Sequence, residues 1–139
     1  MAKADIQICL RSGTESYGAS RFRPGEFVQG SVVVVPDSDV KCNHLYIRLE
    51  WYTEGRGTQF RQKIDEKDVF QGTLNTNMPR SFEFDFQLPE EPWSYEGHYI
   101  SIVWGITVQL DVPWGRDVKE EAQFVLRPTP GTETANNNR

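Results

Sequence analysis

The stretch HYISIVWGITVQLDVPW, residues 98–114, alternates apolar side chains with mostly polar or small ones. From Ile100 to Leu110 every second residue is apolar. Alternation with period two is typical of a β-strand with one buried face, and this run is about twice the usual strand length of roughly 5 to 6 residues. The stretch predicts a strand that spans a sandwich and ends at Pro113, with a bend or a crossing between sheets at Gly105, which lacks a side chain.

Shorter alternating segments recur along the chain with turn residues between them, and no segment has the apolar 3.6-residue stripe of a helix. They predict about seven or eight strands in two antiparallel sheets packed face to face. A closed barrel is the alternative, but a barrel needs a consistent tilt and stagger, and these strands differ in length. The clearest segments are 6–10, 27–35, 45–52, 82–88 and 119–126; two weaker ones, 58–64 and 68–74, predict an exposed hairpin or edge pair.

Composition and charge narrow the class of protein. The chain has 139 residues, enough for one domain with its own core, and a formal net charge of -5. The acidic balance disfavours nucleic-acid binding, which usually needs a basic surface. No run approaches the roughly 20 apolar residues of a membrane span, and the first residues lack the apolar segment of a secretion signal. We therefore expect a cytoplasmic protein.

The cysteines and the last residues give two further expectations. Cys9 and Cys42 should be reduced thiols, with a disulfide between them as the less favoured alternative. The stretch 129–139 has no apolar residue beyond Ala135. We expect one sandwich domain over residues 1–128, followed by a disordered polar tail or linker at 129–139.

No pattern in the sequence indicates an active site. Its serines lack the G-x-S-x-G context of an activated nucleophile, so a small hydrolase has no supporting residues. His44 lies two residues after Cys42, but one such pair is a weak zinc signal, and a turn with a strand start is favoured. Glu90, Glu91 and Glu96 flank aromatic residues as in a glycosidase, yet the prolines among them favour a rigid, solvated connection. The sequence predicts no enzyme, no metal and no cofactor.

One basic cluster stands out in this acidic chain. Arginine and lysine side chains at and after the predicted Gly55–Gly57 turn could meet an acidic or phosphorylated partner, because arginine matches phosphate and carboxylate oxygens. The favoured alternative is a solvated hairpin balanced by the acidic residues between them. The cluster consists of Arg56, Arg61, Lys63 and Lys67.

Three stretches share the features of one known family. FRPGEFVQGSVVV at 22–34 is a Pro-Gly-Glu turn that leads into a strand with an early glycine, and FEFDFQLP at 82–89 is a Phe-rich strand that ends in Leu-Pro. SYEGHYISIVWGITVQLDVPW at 94–114 is an aromatic-Glu-Gly turn before a long strand that ends in Leu-Asp-x-Pro-Trp. In this order and spacing, the stretches resemble the arrestin N-terminal domain over nearly the whole chain.

The resemblance implies an immunoglobulin-like antiparallel β-sandwich in a non-enzymatic protein that binds other proteins, often as an adaptor or scaffold in trafficking or signalling. It gives the matched positions architectural roles: a turn at Pro24 and Gly25, a bulge or close backbone approach at Gly30, and a tight turn at Gly97. The charged core that receptor arrestins use to sense phosphate has no matching cluster here, so that role is not carried over.

Arrestins normally carry a second sandwich after the last strand, whereas this sequence continues into a polar stretch. The surface that a second domain normally covers could instead support self-association or bind a separate protein. Tyr99, Val103 and Trp114 are the predicted partner or dimer contacts. The alternative function is a sandwich that binds a carbohydrate or another small molecule on the rings of Trp93, Tyr95 and Trp114.

Overall fold

A computed structural model of the chain describes residues 4–16, 18–113 and 115–128. The predicted contact Trp114 and the predicted tail 129–139 lie outside these residues. The described residues form ten β-strands, which are β1 Ala4–Leu10, β2 Thr14–Ser16, β3 Ala19–Phe22, β4 Phe27–Pro36, β5 Val40–Gly55, β6 Arg61–Leu74, β7 Arg80–Gln87, β8 Tyr95–Glu96, β9 Ile100–Asp111 and β10 Val118–Leu126. This part of the chain has no helix that could cross a membrane.

The strands form two separate sheets. The smaller sheet has the order β1-β4-β7, and the larger one has the order β2-β3-β10-β9-β5-β6, with the short β8 paired to β9. All pairs are antiparallel except the brief β3–β10 pair. The predicted β-sandwich is therefore confirmed, and the barrel alternative is wrong because neither sheet closes on itself.

The core lies between β4 and β7 on one side and β5 and β9 on the other. The alternation that predicted these strands places their apolar residues inward, where burial provides most of the stabilisation. Along β9, the residues Trp104, Ile106, Val108 and Leu110 are fully buried. The Phe-rich strand β7 contributes Phe84 and Phe86 to the same core.

Strand β9 stays in one sheet from end to end. It pairs with β5 from Ile100 to Asp111 and with β10 from Trp104 to Leu110, without a register shift at Gly105. The predicted crossing between sheets at Gly105 is wrong, because β9 keeps the same partner strands on both sides of this residue. A Cβ there would lie 2.8 Å from a carboxylate oxygen of Glu121, so the missing side chain instead leaves room for that neighbour on the outer face.

Strands β5 and β6 are longer than the sequence predicted. β5 has 16 residues and begins at Val40, and β6 has 14 residues. The two weak segments at 58–64 and 68–74 do not pair with each other, because β6 forms one edge strand that runs antiparallel to β5. Register shifts along this pair break the period-two pattern, which is why the sequence suggested separate pieces.

Gly30 marks a close approach between strands and not a bulge. The ladders on both sides run through Gly30 in regular register, with Leu10 and Phe84 as its partners. A Cβ at this position would collide with the carbonyl oxygen of Cys9 and would lie 2.7 Å from the Phe84 ring. Only glycine therefore fits, which confirms the close approach that the sequence suggested.

Candidate functional site

The larger sheet presents an uncovered apolar area at the end where β5 and β9 meet the short β8. Burial decreases along the inward face of β9: Trp104 is fully buried, Ile102 is partly buried and Ile100 is 47% exposed. The strands of the larger sheet have up to 16 residues, whereas those of the smaller sheet have at most 10. The inward face of β9 is therefore less and less covered from Trp104 toward Ile100.

Register places four side chains in one row across this uncovered area. Ile102 of β9 pairs with Thr53 of β5 on one side and with Tyr95 of β8 on the other. The amide of Thr53 donates to the carbonyl of Phe60 over 2.8 Å, and the Phe60 amide donates to the Thr53 hydroxyl over 2.9 Å. Directly paired residues share a face, so the row reads Phe60, Thr53, Ile102, Tyr95.

Two observations tie this row to the inward face. The Phe60 ring lies 5.4 Å from the ring of Trp51, and Trp51 pairs with the buried Trp104 one row deeper. Ile100 lies two residues before Ile102 and so shares its face. We call Phe60, Thr53, Ile102, Tyr95 and Ile100 the overhang patch.

The overhang patch is strongly apolar for a surface. Phe60 is 53% exposed and Tyr95 is 60% exposed. Two further rings flank it in the chain, Trp93 at 45% and Tyr99 at 57% exposed. Single exposed apolar residues are common on proteins, but several exposed apolar side chains at one end of a sheet are typical of an interaction surface.

The structure separates the predicted contacts Tyr99 and Val103. Tyr99 lies in the turn before β9, where its carbonyl accepts a 3.0 Å hydrogen bond from the Arg56 amide and its ring lies 4.9 Å from the Arg56 guanidinium. Val103 is partly buried and belongs to the outer face of β9, since it alternates with Ile102 and Trp104. Tyr99 thus lies beside Arg56 and precedes Ile100 of the overhang patch in the chain, whereas Val103 lies on the outer face.

Val103 lines a groove of about 400 Å³ that opens where β10 separates from β9. The two strands pair as far as Trp104 and Phe124, after which β10 pairs with β3. Ser94 fills the gap, because its amide donates to the Leu126 carbonyl over 2.8 Å and its hydroxyl accepts from the Leu126 amide over 2.9 Å. The groove is mixed in character, with charged lining residues Arg21, Glu54, Glu96 and Arg127 and apolar ones that include Tyr95 and Val125.

The outer face of the larger sheet carries a buried carboxylate. Glu50 is only 4% exposed, and its carboxylate accepts hydrogen bonds from the Arg61 guanidinium and, over 2.6 Å, from the Thr107 hydroxyl. The same guanidinium lies 4.4 Å from the ring of Tyr52. Burial of Tyr52 and its hydrogen bond to Glu121 raise the pKa of the phenol to about 12. The Arg61 guanidinium thus already contacts both the Glu50 carboxylate and the Tyr52 ring.

A second ion pair continues this network. The Arg48 Nε donates to a Glu66 carboxylate oxygen over 2.5 Å, and Nη1 donates to the Gln109 side-chain oxygen over 2.6 Å. The hydrogen bond from Arg48 is the main cause that holds the pKa of Glu66 below its ordinary value. Lys63 also binds Glu66, over 3.2 Å. These contacts stabilise the sheet face and leave little free charge for a ligand.

The four basic residues predicted for an acidic partner do not form one cluster. Arg61 and Lys63 lie on the outer face in the ion pairs described above, and Arg56 lies beside Tyr99. Lys67 points the other way, with its amino group 5.5 Å from the ring of the core residue Phe86. The register shift between Leu49 and Glu50 explains the difference, because a slip of one residue moves side chains to the opposite face.

The remaining candidate groups have ordinary partners. The Nδ1 of His44 lies 2.6 Å from an Asp68 carboxylate oxygen, and its ring stacks on Tyr46 at 5.1 Å. Cys9 is an exposed free thiol, and Cys42 is a buried one. Within residues 4–16, 18–113 and 115–128, no three His, Cys, Asp or Glu side chains are arranged to hold a metal ion.

The sequence did not single out Phe60 or Ile100 as site residues. Phe60 precedes β6 and lies between Gln59 and Arg61, and Ile100 begins β9 between Tyr99 and Ser101. The signal that could have found them is the pairing register, since only the row across four strands brings Phe60 and Tyr95 onto one face.

Comparison with known proteins supports the architecture. No protein-family model matches the chain, and no curated protein matches it. Among solved structures, it is similar to the sporulation control protein Spo0M from Bacillus subtilis, with a TM-score of 0.73 and 18% identity. The similarity covers 99% of this chain and 54% of Spo0M, so the chain spans about half the length of that protein. Spo0M has an arrestin-like fold, and this likeness identifies the sandwich described above as an arrestin-like fold.

Proposed function

We propose that this chain is a non-catalytic protein-interaction module, an arrestin-like domain of the N-terminal type that works as a regulatory adaptor or scaffold in the cytoplasm. The observation that carries the proposal is the overhang patch, a row of exposed and partly exposed, mostly apolar side chains at one end of the larger sheet.

A partner that covers such a patch removes apolar surface from water, and this removal favours binding. Aromatic side chains bring a large contact area at a small entropic cost, and they dominate the binding energy of most protein interfaces. Hydrogen bonds between the strands align Phe60, Ile102 and Tyr95 in one row, so a partner can contact their side chains together.

The structural neighbour adds support of a general kind. Spo0M is a sporulation control protein, and this regulatory role belongs to that protein. We extend to this chain only the broad idea of regulation through protein contacts. We propose no reaction for this chain, because function depends on the residues of a site and not on the fold.

Arg56 supplies the polar rim of the proposed surface. Its guanidinium lies over the Tyr99 ring, and no ion pair engages it within the described part of the chain. An acidic group of the partner would therefore find a cation beside the exposed rings, as the sequence suggested for the basic cluster. Arg61 and Lys63 already bind carboxylates, and Lys67 lies elsewhere, so we assign this role to Arg56 alone.

A photo-crosslinking amino acid placed at Ile100 tests the proposal in cells that express the chain. Met78 is the matched control, because it is 57% exposed and lies in the turn after β6, at the opposite end of the sandwich. We expect a discrete protein adduct from position 100 and not from position 78, identified by mass spectrometry. Equal adducts from both positions, or none from position 100, would contradict the proposal.

A second candidate function is binding of a carbohydrate or another small molecule on the surface aromatics. Trp93 and Tyr95 are both well exposed, and Tyr95 also lines the 400 Å³ groove with its polar residues. However, no ring contact joins Trp93 to Tyr95 among the described residues, and the Trp93 indole N–H donates to the Glu90 carbonyl over 2.9 Å. Binding to a glycan array that Tyr95→Ala abolishes would favour this candidate over the first.

A further inference from the structure

We infer that the groove between β9 and β10 binds an extended peptide segment of a partner protein, with a basic side chain at one end and an acidic side chain at the other. The groove has a volume of about 400 Å³, and its charged lining residues are Glu54, Glu96, Arg21 and Arg127. None of these four belongs to the overhang patch, so the inference goes beyond the proposed function and names the chemistry of a second contact site.

The acidic end of the groove is a row of three side chains. Ser101 of β9 pairs with Glu54 of β5 on one side and with Glu96 of β8 on the other. Directly paired residues share a face, and Ser101 alternates with the inward Ile102, so the row lies on the outer face. Each carboxylate is one strand spacing, about 4.8 Å, away from the serine. A cation above Ser101 would therefore lie within reach of both carboxylates.

The basic end of the groove is formed by β3 and the end of β10. Arg21 pairs with Val125, and Arg127 follows Val125 by two residues, so these three side chains share a face. That face is the outer one, because Leu126 between them is fully buried. The Arg127 amide donates to the Phe22 carbonyl over 3.0 Å, which continues the pairing of the two strands. Guanidinium groups bind carboxylates through two parallel hydrogen bonds, so this end suits an acidic side chain.

The charges of both ends are available to a ligand. The two glutamates and two arginines are exposed or partly exposed. In the described part of the chain, no ion pair joins any of them to another residue. By contrast, Arg48 and Arg61 on the same face of the sheet already bind carboxylates. The groove thus combines open positive and negative charge, and complementary charges on a partner would orient it.

The floor of the groove between the two ends is apolar. Val103 of β9 and Val125 of β10 line it, and both are partly buried. The sequence predicted Val103 as a contact residue, and a ligand in this groove would cover it. A ligand that joins a cation and a carboxylate through an apolar side chain therefore matches the groove from end to end.

The spacing of the two ends fits a short extended peptide. The last β9–β10 pair is Trp104 with Phe124, so Val125 is level with Val103, two residues from Ser101 along the strand. At this level β8 lies between the two strands, because it pairs with β9 and the residue before it bonds to β10. Two strand spacings and two residues of rise place Ser101 and Val125 roughly 12 Å apart.

An extended peptide spans this distance in five residues. Its side chains i, i+2 and i+4 lie on one face, and the first and last are about 13 Å apart. A basic residue, an apolar residue two positions later and an acidic residue four positions later therefore match the two ends and the floor. A free amino acid is too short, because its ammonium and carboxylate groups are attached to the same carbon.

Three labelled peptides with blocked termini test the inference with the full chain of 139 residues. The mixed peptide is Lys-Ala-Val-Ala-Glu, and the lysine and glutamate peptides carry the same charge at both ends. Fluorescence anisotropy at low ionic strength, where screening is weakest, gives the dissociation constants. We expect the mixed peptide to bind at least about tenfold more tightly than either control. Attraction by the net charge of -5 alone would instead favour the lysine peptide.

Arg127→Glu and Lys119→Glu are a matched pair of variants. Each reverses one exposed cation, and Lys119 lies near the start of β10, away from the groove. Arg127→Glu should weaken binding of the mixed peptide at least about tenfold, because a repulsion replaces an attraction. Lys119→Glu should leave the dissociation constant unchanged.

A double variant tests whether the groove sets the preference between peptides. Arg21→Glu combined with Arg127→Glu makes both ends acidic, so this protein should prefer the lysine peptide over the mixed one. Lys41→Glu combined with Lys119→Glu has the same net charge and leaves the groove intact, so it should still prefer the mixed peptide. Circular dichroism verifies that each variant is folded.

Four results would overturn the inference. They are the absence of saturable binding by the wild type, a wild type that binds either control peptide as tightly as the mixed one, equal losses in Arg127→Glu and Lys119→Glu, and a folded Arg21→Glu, Arg127→Glu double variant that keeps the wild-type preference. Crosslinking at Ile100 reports on the overhang patch, so it tests the proposed function separately from these measurements.

Discussion

Removal of the Arg61 side chain tests whether the buried charge on the outer sheet face depends on its partner. The Glu50 side chain is 5% exposed and that of Arg61 is 46% exposed. In Arg61→Ala, the carboxylate would stay buried with the Thr107 hydroxyl as its remaining side-chain donor. Loss of one partner from a fully buried pair costs about 3–5 kcal/mol. Because water can enter the space of the half-exposed arginine, we expect a loss of about 2–3 kcal/mol in the free energy of unfolding.

Lys63→Ala is the matched control on the same strand and the same face. Lys63 pairs with Glu66 over 3.2 Å, and the two side chains are 53% and 27% exposed. An exposed pair of this kind contributes less than about 1 kcal/mol, since solvent screens both charges. The difference between the two alanine variants therefore isolates the effect of burial on the unpaired carboxylate.

Urea unfolding followed by tryptophan fluorescence measures both losses. With a slope of about 1–3 kcal/mol per molar urea, Arg61→Ala should lower the midpoint by roughly 1 M or more, and Lys63→Ala by far less. Adding Glu50→Gln to Arg61→Ala removes the stranded charge and should recover about half of the loss. Equal losses in the two alanine variants, or no recovery from Glu50→Gln, would refute the reasoning.

Gly30→Ala should prevent folding, because its Cβ would collide with the backbone of Cys9; a native circular dichroism spectrum from this variant would contradict that expectation. A thiol reagent should modify Cys9 in the native protein and Cys42 only after unfolding, because burial shields Cys42 and raises the pKa of its thiol; mass spectrometry counts the modified thiols, and two in the native protein would be inconsistent with the fold. The lowered pKa of Glu66 stabilises the fold above the unfolded-state pKa of about 4.3, and this contribution disappears as the pH falls through the lower folded-state pKa. The stability difference between wild type and Arg48→Gln, measured by urea unfolding, should therefore shrink below a pH of about 4, and a constant difference would exclude this linkage.

The long strand was predictable because nothing interrupts its pattern. β9 has a strand on both sides along most of its length, and its ladders have no register shift, so each apolar residue from Trp104 to Leu110 points inward. The Phe-rich strand β7 was predictable for the same reason. The sequence placed a crossing at Gly105 because it does not reveal that Glu121, a residue of the neighbouring strand, fills the space beside that glycine.

The β5–β6 pair was less predictable because bulges change the alternation. The shift between Cys42 and Leu45 makes β5 look as if it begins at Leu45, although it begins at Val40. As a charged edge strand, β6 has little apolar periodicity to find. The orientation of Lys67, opposite to that of Lys63, follows from such a shift and could not be read from spacing alone.

The overhang patch depends on contacts between residues far apart in the chain. Phe60 and Tyr95 reach one face only through the successive pairing of β6, β5, β9 and β8. The sequence identified Tyr99 and Tyr95 as exposed aromatics near the start of the long strand. It could not show which of them shares a face with Phe60, because that requires the register of three strand pairs.

Strand β9 passes through two environments, and its amide hydrogens should exchange with solvent in two groups. From Trp104 onward, the amides lie between two ladders and above the core, so they exchange only when the whole sandwich opens. Near Ile100 and Ile102 the strand has the two-residue β8 on one side and no covering sheet, so local opening should expose these amides far more often. A partner that docks here would hold closed the least stable end of the most protected strand.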